Sequence, residues 1–357
     1  MQKATNQLSF SDLSISGRKI KKQFFNQIDT LIDWAKIETE IKKYYSKGLS
    51  ADGRPSYSGL LLFKMSLLQV WYNLSDYELE AQVNDSLSFM QFTGLGLEDS
   101  VPDHSIVSRF RTILTKANAY DKLLDSINQQ LEAHKILVKK GSIVDASVTV
   151  TPRKPKGKKE FEIVEDRQDT TDDAETPKPN QTKAVEKIQA GVDTEAAWLK
   201  KAGKLHFGYK RHMSVEDNEG LIVSIITTSA NESDMNHIED VIEKGNYAKG
   251  TRIKADKGYP SEKNKIGLKQ KGYRPQLMIK AAKNKPLGTW EKKFNKLVSK
   301  TRYKVERTFG GMARWFGAGK ARYVGLAKTH TQHVMESIAY NLYRSPAIAM
   351  RTPVKPA

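Results

Sequence analysis

The sequence predicts an all-helical N-terminal region followed by one mixed α/β domain. Two observations carry that prediction. Up to about residue 135, apolar residues recur at helical spacing; at Lys139 the period shortens to that of strands. Beyond that point the order is strand, strand, strand, helix, strand, helix, strand, helix, which suits a single central sheet with helices packed on it.

The helical part is expected to span residues 1–136. "FFNQIDTLIDWAKIETEIKKYY" places Phe24, Ile28, Leu31, Ile32 and Ala35 on one helical face. "SYSGLLLFKMSLLQVWYNL" reads as a mostly buried helix. Ser75 and Asp76 offer a cap for "DYELEAQVNDSLSFMQF", and Gly94 and Gly96 interrupt the chain after it. Pro102 and Asp103 open "VPDHSIVSRFRTILTK", and a last helix runs from about Ala119 to His134. Short helices in series can contain a helix-turn-helix, with Arg109 and Arg111 on DNA. A helical bundle with solvated arginines accounts for them equally well.

The α/β domain is expected over residues 137–345, with 346–357 as a tail. "GSIVDASVTVT" is a strand rich in β-branched residues. "HFGYKRHMSVED" and "LIVSIITTSA" form the next two strands around a turn at Asn218-Glu219-Gly220. The helix "ESDMNHIEDVIEKG" follows, then the strand "TRIKADKGYP", the helix "SEKNKIGLKQKG" and the strand "YRPQLMIK". A basic helix-like stretch and an amphipathic helix striped by Val334, Ile338 and Leu342 close the domain. From Thr151 to Val185 six of 35 residues are apolar, so this charged insertion is expected to be extended or disordered.

A formal charge of +18 and a pI of about 9.6 favour a polyanionic partner, most simply nucleic acid. The absence of cysteine excludes disulfides and thiolate zinc sites and fits a reducing compartment. His206 and His212, six apart without a cysteine, make no zinc pattern. The apolar run from Leu60 to Val70 is interrupted by Lys64 and is too short to span a bilayer, so no membrane partner is expected. The polar N-terminus does not read as a signal peptide.

Three carboxylates stand out by position. Asp145 lies inside an apolar strand, where a charge is costly unless paired or metal-bound. Asp256 ends a short strand, and strand ends are where ligands meet α/β sheets. Glu306 sits alone among the cations of "TRYKVERTFGGMARWFG". Taken singly, each has an ordinary reading: a satisfied strand aspartate, a turn former, an ion-pair partner of Arg302. If the first and fourth strands are parallel neighbours, the two aspartates meet and a packed helix can bring Glu306 to them. Three carboxylates without a thiolate make a hard oxygen site suited to Mg²⁺ or Mn²⁺. Two such ions roughly 3.5–4 Å apart would serve phosphodiester transfer.

"VDAS", "LHFGYKRHMSVEDNEGLIVSIITTSANESD", "ADKGYPS" and "RYKVERTFGGMARWFG" together resemble the DDE transposases of bacterial insertion sequences, in particular the insertion-sequence-five family. "RPSYSGLLLFKMSLLQVWYNLSDYELE" and "VPDHSIVSRFR" are similar to that family's N-terminal domain, so the resemblance runs from about Phe10 to Arg344. It implies an RNase H-like catalytic domain behind a DNA-binding or dimerising helical domain. It implies a Mg²⁺-dependent triad of Asp145, Asp256 and Glu306, cleavage at the element's inverted repeats, and joining of the freed 3′-OH to target DNA. The implied partners are double-stranded DNA and at least a second copy of the chain; the implied location is the bacterial cytoplasm, at the nucleoid. The family tends to carry an arginine four before the glutamate, which Arg302 matches, and a lysine or arginine seven after it. Position 313 is alanine, and Arg314 falls one residue late, about 100° around the helix.

Candidate DNA contacts are Arg302, Lys304, Arg307 and Arg314 around the glutamate, Lys257 and Tyr259 after Asp256, and Tyr209 and Lys210 in a strand. Lys280, Lys283, Lys285, Lys292, Lys293 and Lys296 would neutralise phosphates. The competing functions are a metal-dependent endonuclease on the same fold and a DNA-binding repressor derived from a transposase. A tyrosine recombinase is set aside, because no histidine is followed three residues later by arginine.

Overall fold

The computed structural model describes residues 20–45, 56–157, 161–165, 182–186, 189–282 and 286–351. Seven helices come first: α1 (Ile20–Leu31), α2 (Trp34–Lys42), α3 (Gly59–Trp71), α4 (Asp76–Asp85), α5 (Leu87–Thr93), α6 (His104–Lys116) and α7 (Ala119–Ala133). Four of them start at a capping side chain, Asp33, Ser58, Ser75 or Asp103. Ser75 and Glu78 close a capping box on α4, and the Asp103 carboxylate accepts from the Ile106 N–H of α6. Gly94, at φ +83°, ends α5 in the left-handed region that glycine tolerates.

β1 (Gly141–Val150) is the centre of the sheet. On one side it pairs antiparallel with β5 (Lys204–Glu216), which pairs antiparallel with β6 (Ile222–Ser229). On the other side it pairs parallel with β7 (Arg252–Ala255), which pairs parallel with β8 (Arg274–Leu277). Helices α8 (Ile238–Lys244) and α9 (Glu262–Gln270) make the crossovers that parallel pairing requires. The resulting order, β6-β5-β1-β7-β8, is an RNase H-like sheet, and it makes the first and fourth predicted strands parallel neighbours, the condition on which the two aspartates meet. Two long helices follow, α10 (Thr289–Phe316) and α11 (Leu326–Arg351).

Several details differ from the sequence reading. The first and third predicted helices each break in two, at Asp33 and at Ser86, so Ala35 lies on a separate helix from Phe24 and Ile28. A further strand, β4 (Ala197–Lys201), extends the sheet against the start of β5. Its turn uses Ala202 at φ +49° and Gly203 at +78°, the paired positive φ of a tight hairpin. Within the charged insertion, β2 (Phe161–Glu165) and β3 (Thr182–Glu186) pair as an antiparallel ribbon, although that segment was expected to be extended or disordered. Ile163-Val164 and Ala184-Val185 give each strand a short apolar pair within the polar segment; residues 158–160, 166–181 and 187–188 lie outside the described residues. Finally, α11 runs through Pro346 to Arg351, so the first residues assigned to a tail are helical. Burial of Ser345, Pro346 and Ile348 holds that last turn in place.

One hydrophobic core extends across residue 136. α11 packs on β6 and also on α7, α3 and α1. The Trp71 indole N–H donates to the Ala339 carbonyl at 2.9 Å, and the Asn341 amide bridges Asn128 of α7 to Ile222 of β6. Among the described residues no helix is long and apolar enough to cross a membrane.

Candidate active site

The parallel register pairs Val144 with Ala255. Asp145 and Asp256 are each the next residue, so both fall where β7 stops and the crevice beyond a parallel strand opens. The Asp145 side chain is 18% exposed and that of Asp256 39%. Asp145 accepts from the Ala146 N–H at 2.9 Å; Asp256 accepts from the Lys257 N–H at 2.5 Å, in a turn closed by Tyr259 N–H to the Asp256 carbonyl.

Glu306 arrives on α10, which crosses β1 and β7. The cations of this helix fix its height. The Lys304 ammonium donates to the Asp217 carbonyl and the Arg307 guanidinium to the Glu219 carbonyl, both in the β5–β6 turn. The Thr308 hydroxyl donates to the Gly220 carbonyl at 2.7 Å. Gly220, at φ +77°, lets the turn come this close; a Cβ there would sit 3.1 Å from the Thr308 hydroxyl and 3.3 Å from the Lys304 carbonyl.

All three carboxylates converge on one guanidinium. Arg302 lies 2.9 Å from Asp145, 3.2 Å from Asp256 and 3.8 Å from Glu306, one turn further along α10. Burial pushes the Asp145 carboxyl above the usual aspartate range, and the Arg302 charge opposes this without cancelling it. Tyr259, 2% exposed, has its hydroxyl buried without a partner; burial first, then the Asp145 and Asp234 charges, push its pKa well above the usual range. The donor set fits a hard divalent cation: three carboxylates from three elements already select one positive charge. As placed, they surround the guanidinium and do not close on an ion-sized point; among the described residues no group of three acidic or histidine side chains does so.

The other predicted contacts divide into buried and exposed groups. Arg111 is 8% exposed, paired to Asp76 at 2.6 Å and stacked over Tyr323. Lys210, also 8% exposed, pairs with Asp234 at 2.9 Å and donates to the Glu232 carbonyl. Tyr209 is buried, its hydroxyl donating to Asp193 at 2.7 Å. These three hold the fold in this arrangement. Arg109, Lys257, Lys280, Lys292, Lys293, Lys296 and Arg314 are exposed; Lys283 and Lys285 lie outside the described residues. Ala313 lines a cleft of about 870 Å³ together with Lys320 and Arg322. Arg322 is committed to Asn73 and the Leu74 carbonyl, whereas Lys320 is exposed. The sequence reading missed Lys320 because it lies beyond the end of α10 and reaches this cleft through the fold.

Residues 137–342 match the family model described as a transposase DDE domain, and residues 14–112 match one described as a transposase domain (DUF772). Among solved structures, a piggyBac transposase synaptic complex with hairpin DNA aligns at 8% identity, covering 99% of this chain and 78% of that one, with a TM-score of 0.44. A pre-cleavage Mos1 transpososome aligns at 8% identity, covering 92% and 97%, with a TM-score of 0.20. A Mos1 mariner paired-end complex with Mn aligns at 10% identity, covering 92% and 94%, also at 0.20. These likenesses are distant, and the fold assignment rests on the strand order and the family match.

Proposed function

The chain belongs to the transposase DDE domain family, whose model matches more than half its length, and from that premise we propose that it mobilises a bacterial insertion sequence of the insertion-sequence-five family. It binds the element's terminal inverted repeats, hydrolyses the strands there and joins the 3′-OH ends to target DNA. The observation that carries this reading is the meeting of Asp145, Asp256 and Glu306, from β1, β7 and α10, on one cation.

Asp145, Asp256 and Glu306 would hold the divalent ions, Mg²⁺ with Mn²⁺ as a substitute. When bound, such ions polarise the scissile phosphate and lower the pKa of an attacking oxygen. The chain's own residues supply position. Asp145 is fixed by the central strand and by the Ala146 N–H; Glu306 is set by a helix pinned to the β5–β6 turn through Lys304, Arg307 and Thr308. Arg302 is placed to hold a phosphate beside the carboxylates. The exposed Lys257, Arg314, Lys292, Lys293 and Lys296 line the DNA path, with Arg109 on the helical region. Lys320 takes the role of the cation absent at position 313. Residues 1–136 serve as the DNA-binding or dimerising part and 137–345 as the catalytic part, and two copies hold the two ends. The N-terminal transposase match favours this over a plain nuclease, and the three retained carboxylates favour it over a repressor.

The test is to incubate the protein with Mg²⁺ and DNA carrying the inverted repeats that flank its own gene, and to map the cuts. Cuts confined to the repeat ends, followed by strand joining, are expected. Scattered cuts would mean a nuclease, and binding without cuts a repressor.

A further inference from the structure

We propose that Arg302 is a placeholder cation: it occupies the carboxylate cluster of the free protein and leaves it for a DNA phosphate, so that metal and DNA load together. The inference rests on the assignment of Asp145, Asp256 and Glu306 as metal ligands.

The geometry gives the reason. One guanidinium reaches three carboxylates contributed by three elements, at 2.9, 3.2 and 3.8 Å. A divalent ion needs those same oxygens, and a guanidinium left among them would repel it from a few ångströms away. Metal entry therefore requires Arg302 to give up at least part of its contacts. Its destination is set by exposure. The Arg302 side chain is 16% exposed and Asp145 18%, but Asp256 is 39% and Glu306 62%. The cluster opens on the Asp256–Glu306 side, toward the exposed Lys257 and the outer surface of α10. A phosphate arriving there meets a planar fork of donors on a flexible stem, the geometry that binds phosphate in bidentate fashion. One positive charge against three negative ones leaves the cluster net acidic even with Arg302 in place, so a free carboxylate set awaits the ion once the guanidinium turns outward. Coupling of this kind is reciprocal: DNA tightens metal binding as much as metal tightens DNA binding.

The experiment titrates Mn²⁺ into the full chain and follows the free-ion signal by electron paramagnetic resonance. It is run with and without a duplex of inverted-repeat ends already cut on both strands, so that no hydrolysis follows. For wild type, DNA should tighten Mn²⁺ binding about tenfold or more. Arg302→Gln without DNA should bind Mn²⁺ about tenfold tighter than wild type, with little further gain from DNA. Arg302→Lys, which keeps a charge but not the fork, should stay near wild type without DNA and lose most of the coupling. Either variant is read only where its melting curve shows a folded protein. Mn²⁺ binding by Arg302→Gln that equals or falls below wild type in the absence of DNA overturns the proposal. Asp256→Asn separates the two layers of argument: if it binds Mn²⁺ as wild type does, the ligand assignment is what fails.

Discussion

Arg211 and Arg302 both reach carboxylates within the DDE domain, and the contrast between them separates a structural pair from a candidate site. Arg211 on β5 and Glu336 on α11 form a one-to-one pair with side chains 1% and 2% exposed. The Ala318 carbonyl accepts from Arg211, and Gln332 donates to Glu336 at 2.7 Å. Charge is matched and water is excluded. Around Arg302, one guanidinium serves three carboxylates, and exposure rises outward from Asp145 to Glu306. A buried pair that is matched holds two elements together. An excess of carboxylates that opens to solvent leaves negative charge that a further cation can meet.

Breaking each cluster should therefore give opposite phenotypes. Asp256→Asn or Asp145→Asn is expected to reduce cleavage of end-containing DNA by about a thousandfold or more while leaving the melting temperature nearly unchanged. Neutralising Asp145 even removes a desolvation cost, since burial already disfavours its charge. Gel-based cleavage and calorimetry check both halves of the expectation; cleavage at wild-type rate by either variant removes that residue from the triad.

Glu336→Ala should do the reverse. It leaves Arg211 charged and buried without its partner, a change that costs about 3–5 kcal/mol and would lower the melting temperature by roughly 10 °C. Cleavage per folded molecule should persist at low temperature. Replacing both partners with Arg211→Met and Glu336→Leu should recover most of the stability. If the double variant melts as low as Glu336→Ala, the pair does more than satisfy its own charges.

What the sequence made legible follows the same division. Asp145 was visible as an acid inside a β-branched strand, Asp256 as an acid ending one, and Glu306 as a lone acid among cations. Their meeting depended on β1 and β7 being parallel neighbours, a condition that the sequence left open and the sheet meets. The partners of cations were not legible. Lys304 and Arg307 look like DNA contacts in sequence, but their long stems reach the β5–β6 turn and dock α10. Arg111 and Lys210 look free and are paired to Asp76 and Asp234. A cation's sign is written in the chain, but its partner is set by tertiary distance. β4 escaped notice because its lysine-flanked residues lack alternation, and its pairing depends on β5 alone.

The histidines extend the comparison to pH. His333 is fully buried, its ring between the Thr227 and Thr149 hydroxyls at 2.7 and 3.0 Å, and burial followed by the Arg211 charge holds its pKa well below 6.5. His212 bonds Thr228 at 2.9 Å and faces His237, Asp234 and Lys210; burial, then His237, lowers it to about 4. Both are neutral when folded and protonate when unfolded below about 6.5. The unfolded state then binds more protons, so stability is complete above that pH and falls as pH drops toward 4. The slope should approach about 1.4 kcal/mol per pH unit for each histidine. Carboxylates with lowered pKa, such as Asp76 and Asp121, contribute losses near and below 3.8, outside this window, whereas the buried Asp145 and Glu216, with raised pKa, take up protons in the folded state as pH falls and offset part of the slope at its acid end. Urea unfolding between pH 7.5 and 5 measures the slope; stability flat across that range contradicts the assignment of two neutral buried histidines.

The smallest expected effect lies at the cleft where α10 carries Ala313. Lys320 is exposed there, with neither the buried partner of Arg211 nor the shared carboxylates of Arg302. Its loss should cost the fold nothing measurable. If it contacts a phosphate as proposed, it adds to DNA affinity through counterion release, and Lys320→Ala should weaken end binding several-fold at low salt and lower the slope of log affinity against log salt by about one. Arg314→Ala is the matched control one residue after 313: Arg314 sits about 100° off the direction of residue 313. A salt slope that drops for Arg314→Ala and not for Lys320→Ala would return the missing cation to α10 itself. The opposite result places it on the strand-like segment that follows, where Lys320 bridges to Val150 at the end of the strand that carries Asp145.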